Sequence, residues 1–123
     1  MALRAIVMVL AIFAGVDAAM AGDVTGIWLH EDGASKVRFA QCGQAVCGTI
    51  VWLKDTKGPA KVGQKVFYDM VSSGADNWSG KAFEPSSGKE YTGKMTLAGD
   101  SLTTAGCVFG GLICKSIVWS RAK

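Results

Sequence analysis

From Thr25 onward, apolar and polar residues alternate in short runs that recur about every ten residues, with turn residues between them, and no segment sustains a helical period. Strands are predicted over 25–31, 34–42, 47–54, 64–70, 77–84, 88–98, 101–109 and 112–121. The register is testable, because each hairpin turn fixes which residues oppose one another, and opposed residues share a face of the sheet. Asp32-Gly33 sets Trp28 opposite Val37. A four-residue loop between Cys42 and Cys47 sets Phe39 opposite Ile50 and Val37 opposite Trp52. Pro85 to Gly88 sets Ala82 opposite Tyr91 and Trp78 opposite Met95, and Gly99-Asp100 sets Leu97 opposite Leu102. Gly110-Gly111 sets Thr104 opposite Ile117 and Leu102 opposite Trp119.

These turns converge on one apolar face that includes Trp28, Phe39, Ile50, Trp52, Trp78, Tyr91, Met95 and Trp119. The other face holds Lys36, Arg38, Thr49, Glu90, Lys94 and Thr103. The predicted fold class is all-β. An antiparallel meander of about eight strands with a single apolar face closes most simply into one up-and-down barrel, which removes both sheet edges; a two-sheet sandwich is the fallback.

The chain ahead of this pattern differs. Arg4 is followed by an uncharged apolar stretch from Ala5 to Val16, then Asp17 and the small-residue pattern Ala19-Met20-Ala21. That order predicts a cleaved signal peptide over 1–21, leaving one domain over 22–123 in the periplasm or outside the cell. The stretch is too short to span a bilayer, and Gly22-Asp23 stands where a lipoprotein would carry cysteine. Removing Arg4 and Asp17 turns 13 basic and 10 acidic residues into 12 and 9, so the net charge stays +3. The lysines are scattered singly, which argues against nucleic acid as a partner, while a loose attraction to anionic surfaces stays open.

Export changes the meaning of the four cysteines. Cys42, Cys47, Cys107 and Cys114 all follow the predicted cleavage site, and an oxidising compartment favours two disulfides over an all-cysteine zinc site. The register places Cys42 against Cys47 and Cys107 against Cys114 on the outer face, each pair stapling its own hairpin. Neither spacing is a C-x-x-C redox motif.

Gly26-Ile27-Trp28 on the first strand and Trp119-Ser120-Arg121 on the last become neighbours when a barrel closes. Together they resemble the closed-end signature of lipocalin-like barrels, in which a tryptophan plugs one end and a guanidinium lies across its ring. The chain also resembles an exported bacterial family known as domain of unknown function 2147. The resemblance is carried by Gly26-Ile27-Trp28, Cys42-Gly43 with Cys47-Gly48, Val51-Trp52-Leu53, Trp78-Ser79-Gly80, Pro85 with Gly88-Lys89 and Tyr91, Gly106-Cys107, and Cys114-Lys115-Ser116 leading to Trp119-Ser120-Arg121. It implies a lipocalin-like fold and brings no reaction. Members often carry a longer acidic, proline-rich connection after the third strand, whereas Asp55 to Gly63 here is short.

An eight-strand barrel is just wide enough to be filled by its own side chains or to hold one small ligand. The expected ligand-facing residues are Phe39, Ile50, Trp52, Trp78, Tyr91, Met95 and Lys115, with Gly26, Trp28, Trp119 and Arg121 closing one end. Gly80, Gly93 and Gly106 fall in one row that ends at Lys115. The row is either a pocket wall whose lysine pairs an acidic head group, or a set of glycines that lets the sheet bend while Lys115 reaches the rim. His30 reads as a solvated turn residue, and Glu31-Asp32 as a solvated pair. With no nucleophile–base constellation, dinucleotide fingerprint or metal-ligand cluster, the chain reads as neither an enzyme nor a cofactor or metal protein. The leading expectation is a binder of a small apolar or amphipathic ligand. The alternative is a filled barrel whose loop from Lys54 to Lys65, with Lys57, Pro59 and Lys61, engages a protein of the envelope.

Overall fold

Eight strands run antiparallel in chain order and close on themselves: β1 (Gly26–His30), β2 (Ser35–Cys42), β3 (Ala45–Leu53), β4 (Lys65–Gly74), β5 (Asn77–Glu84), β6 (Lys89–Ala98), β7 (Ser101–Val108) and β8 (Ile113–Arg121). The computed structural model describes residues 22–123; the signal peptide expected over 1–21 lies outside the described residues. No helix among the described residues is long and apolar enough to cross a membrane.

Most of the expected register is present. Trp28 opposes Val37, Ala82 opposes Tyr91, Trp78 opposes Met95, Leu97 opposes Leu102, and Leu102 in turn opposes Trp119. The β2–β3 hairpin is different. Its turn is only Gly43-Gln44, with Gly43 at φ 65°, so Phe39 opposes Gly48 and Val37 opposes Ile50. Cys42 therefore faces Ala45, and the Cys42–Cys47 disulfide spans the hairpin diagonally at a Cα–Cα distance of 5.8 Å. Cys107 and Cys114 are bonded and directly opposite, as expected.

A second departure follows higher on the same hairpin. Val37 opposes Ile50 but Lys36 opposes Trp52, so Val51 is an extra residue, a β-bulge. Side chains alternate with period two, so one inserted residue reverses the faces beyond it. Trp52, expected inside, stands on the outer face at 39% exposure with the Lys36 ammonium 5.2 Å from its ring centroid, while Leu53 turns inward onto the core.

The connections divide the barrel into two ends. The turns after β2, β4 and β6 lie at the end where the chain enters β1 and leaves β8, and the turns after β1, β3, β5 and β7 lie at the other. Toward the entry end, Trp28, Phe39, Met70, Met95 and Leu102 are fully buried and fill the interior. Gly48 makes this packing possible, because a Cβ there would sit 2.7 Å from the Phe39 ring and 3.0 Å from Phe67. Gly80 and Gly93 serve closer approaches: a Cβ on Gly80 would lie 2.3 Å from the Asp69 carbonyl oxygen, and one on Gly93 2.9 Å from the Lys81 carbonyl carbon. Neighbouring backbone occupies the space a side chain would need at these two glycines, and neither lines the cavity.

Candidate functional site: a calyx open at one end

The closed end is built around Trp28. Its indole N–H donates to the Val24 carbonyl at 2.9 Å, drawing the entry segment across the barrel floor. Arg121 completes the plug from outside: its guanidinium carbon lies 4.3 Å from the Trp28 ring centroid, and its nitrogens donate to the carbonyls of Thr25 and Asp23 and to the Asp100 carboxylate. A Cβ on Gly26, at φ 122°, would come within 3.4 Å of that guanidinium. The Asp23 carboxylate accepts from the Thr25 hydroxyl and amide, which hold its pKa below the usual carboxylate range. The expected closing set of Gly26, Trp28 and Arg121 is thus in one place. Trp119 instead lies deeper along β8, its indole donating to the Thr104 hydroxyl at 2.8 Å and its ring edge-on to Phe67.

Above that layer the interior is not filled. A cavity of about 400 Å³ opens between the hairpins of the other end. Its deeper wall includes Val37, Ile50, Phe67, Thr104 and Trp119, and small residues leave the space: Ala82 on β5, and Gly106 on β7, where a Cβ would meet Tyr91 at an ordinary 3.5 Å. Ala60 of the β3–β4 loop packs against the core from the mouth side, in a loop pinned by Ile50–Gln64 and Gly63–Ile50 backbone hydrogen bonds.

Polar groups gather at the mouth. The Glu84 carboxylate accepts from Ser87 Oγ at 2.6 Å and from Tyr91 Oη at 3.3 Å; the Ser87 bond leads in lowering its pKa, and the nearby Lys115 and Lys89 ammoniums add to the effect. Glu84 is therefore an anion at neutral pH, facing a cation across the opening. Lys115 opposes Gly106 and lines the cavity at its exposed edge. His30, expected as a solvated turn residue, is instead largely covered and lines the cavity, because it pairs with Trp119 across the β1–β8 seam and stacks edge-on against that ring at 4.9 Å. Its Nδ1 lies 2.9 Å from Asp32 Oδ1.

Of the residues expected to face a ligand, Ile50, Tyr91 and Lys115 line this cavity. Phe39 and Met95 are packed into the filled half below it. Trp78 packs half-buried against the core beside Met95, away from the cavity, and Trp52 is outside. Phe67, Glu84, His30 and Ser35 were not anticipated as lining residues. Ala82 opposes Phe67 across β4 and β5 as well as Tyr91 across β5 and β6, which brings Phe67 onto the cavity wall.

Residues 26–121 match the family model of domain of unknown function 2147, described as an uncharacterised protein conserved in bacteria, and the chain belongs to that family. No curated protein sequence matches the chain. Among solved structures it is similar in fold to protein HP1028 of Helicobacter pylori, described as belonging to the lipocalin family, with a TM-score of 0.68 at 16% identity over 82% of this chain and 84% of that one. The barrel is accordingly lipocalin-like.

Proposed function

We propose, from the family's lipocalin-like barrel and its one-ended cavity, that this protein is an exported binder of a small amphipathic molecule, acting in the bacterial envelope. The observation that carries the reading is the position of the empty volume: it is apolar in its depth, polar at its mouth and closed below by the Trp28–Arg121 plug. Ligand sites are typically apolar concavities of roughly 300–1,000 Å³ with a few placed polar groups. A cavity of about 400 Å³ sits near the bottom of that range and suits a single chain or a small ring system rather than a multi-chain lipid. The ligand's tail would lie against Phe67 and Trp119, and its head group would meet Lys115, Tyr91 and Glu84. An acidic head would pair with Lys115 and be turned away from Glu84.

The unfilled interior favours this reading over a packed scaffold that works through the β3–β4 loop. Export rests on the leader pattern over 1–21 and on the pairing of all four cysteines.

The test uses the unequal placement of the tryptophans. Trp119 lines the cavity, whereas Trp28 and Trp78 pack elsewhere and Trp52 is outside. Titration with fatty acids of graded chain length should change the intrinsic fluorescence of the parent protein, and Trp119→Phe should lose that response while still showing a bound mass by native mass spectrometry. A parent protein from the periplasm that carries no small molecule, and shows no Trp119 response to fatty acids or aromatic amphiphiles, overturns the reading.

A further inference from the structure

The β7–β8 hairpin ends in Val108-Phe109-Gly110-Gly111-Leu112-Ile113, six residues without a polar side chain. Phe109 is 74% exposed, Leu112 86% and Ile113 60%. The tip is not a loose loop. The Cys107–Cys114 disulfide clamps its base, and Phe109–Gly111 form a short 3-10 turn in which Phe109 itself takes φ 54°, a conformation bulky residues avoid. Such held strain in an exposed aromatic points to a use outside the fold's own packing.

Two further features say what that use is. The tip is backed by cations: a Cβ on Gly111 would lie 3.2 Å from Lys94 Nζ, and Lys115 follows the clamp, with neither lysine in an ion pair among the described residues. The apolar surface also continues inward, because Val108 and Ile113 line the cavity as well as the tip. A finger of three exposed apolar side chains offers on the order of 400 Å², about half of the roughly 800 Å² each partner gives to a stable protein interface. It is convex, where a protein partner would need a matching pocket. A bilayer interface accepts such a finger without a pocket, and anionic head groups complement the lysines behind it.

We propose that the β7–β8 tip docks on an anionic bilayer surface, with Phe109 and Leu112 seated below the head groups and Lys94 and Lys115 at the phosphates. The docked orientation places the cavity mouth against the membrane, so a lipid-derived ligand passes between bilayer and barrel along the Val108–Ile113 surface. Membrane docking does not depend on the ligand reading, and the two fail separately in the test.

The eight described strands close into a complete barrel around their core within 22–123, so the experiment uses that segment, which also excludes any membrane affinity of the leader. Sedimentation is measured with vesicles of mixed phosphatidylglycerol and phosphatidylcholine and with phosphatidylcholine alone. The parent should bind the anionic vesicles, weaken as salt is raised, and lose about tenfold in partitioning in Phe109→Asn/Leu112→Ser. Asparagine tolerates the left-handed backbone at 109, so that variant keeps the fold. In Phe109→Trp, lipids brominated near the head group should quench the new tryptophan. The tip variant should still bind fatty acid in solution, which separates the two readings. Equal vesicle binding by parent and tip variant, absence of quenching at position 109, or recovery of a single protein through the tip without lipid binding would each overturn the proposal.

Discussion

The two ends of this barrel share strands, hairpins and a disulfide apiece, yet one is filled and the other hollow. At the closed end the inward row carries Trp28, Phe39 and Met95, and Arg121 seals it from outside. At the open end the wall positions are small, Ser35 on β2, Ala82 on β5 and Gly106 on β7, and the interior stays empty over about 400 Å³. Whether an eight-strand barrel holds a ligand is thus decided row by row by side-chain volume. The closed end supplies the stability that lets the open end do without a core of its own.

If that division is right, substitutions at the closed end should cost stability and those at the open end should cost binding. The largest effect is expected from Trp28→Ala, which removes a fully buried ring together with its bond to Val24 and should lower stability by about 3–5 kcal/mol in denaturant unfolding. Gly80→Val comes next. Its Cβ meets the Asp69 carbonyl of a neighbouring strand, where only backbone movement can relieve the clash, and a loss of about 2–4 kcal/mol is expected from the midpoint of thermal unfolding. Arg121→Met gives up the cation–π contact and hydrogen bonds to two carbonyls, at about 1–2 kcal/mol. A Trp28→Ala protein as stable as the parent would break the comparison at once.

The smallest stability effect should come from Gly106→Leu, within about 1 kcal/mol, because its Cβ meets Tyr91 at ordinary contact distance and the leucine grows into the cavity. The same substitution should abolish fluorescence-detected ligand binding. That pairing of a preserved fold with lost binding is the sharpest discriminator between the two ends. Acid offers a gentler probe. The folded pKa of both Asp23 and Glu84 is depressed, so each contributes stability that is present above the ordinary carboxylate range and is lost as pH falls through the folded value. The melting temperature should fall below about pH 4, and Asp23→Asn should flatten that fall more than it alters ligand binding.

The strands were legible because three of the seven turns announce themselves with Asp-Gly, Gly-Asp or Gly-Gly pairs, and Pro85 to Gly88 marks a fourth, each fixing its register. The β2–β3 turn was misjudged for a definite reason. A two-residue and a four-residue loop slide the pairing by two positions and keep every residue on its face, so the apolar pattern could not tell them apart. The bulge at Val51 left no mark in the sequence, and it alone moved Trp52 to the outside. On β4, Asp69 and the turn residue Asp76 take φ 54° and 62° without glycine to signal it, and the register with β5 shifts twice; this hid Phe67 as a wall residue. The cavity itself was half visible. The glycine row ending at Lys115 was real, but Gly80 and Gly93 admit backbone and only Gly106 of the three opens onto empty space.

Both ends of the described chain meet at the plug, where Arg121 bonds to Asp23 and Thr25 and the Ala122 amide donates to Ile27. For anyone handling the protein this is a built-in polarity. A tag, a fusion partner or a surface linker joined at either terminus sits on the side away from the mouth, and the protein so mounted presents its calyx and its β7–β8 finger outward. Immobilised by an end, it becomes an oriented receptor layer rather than a random one.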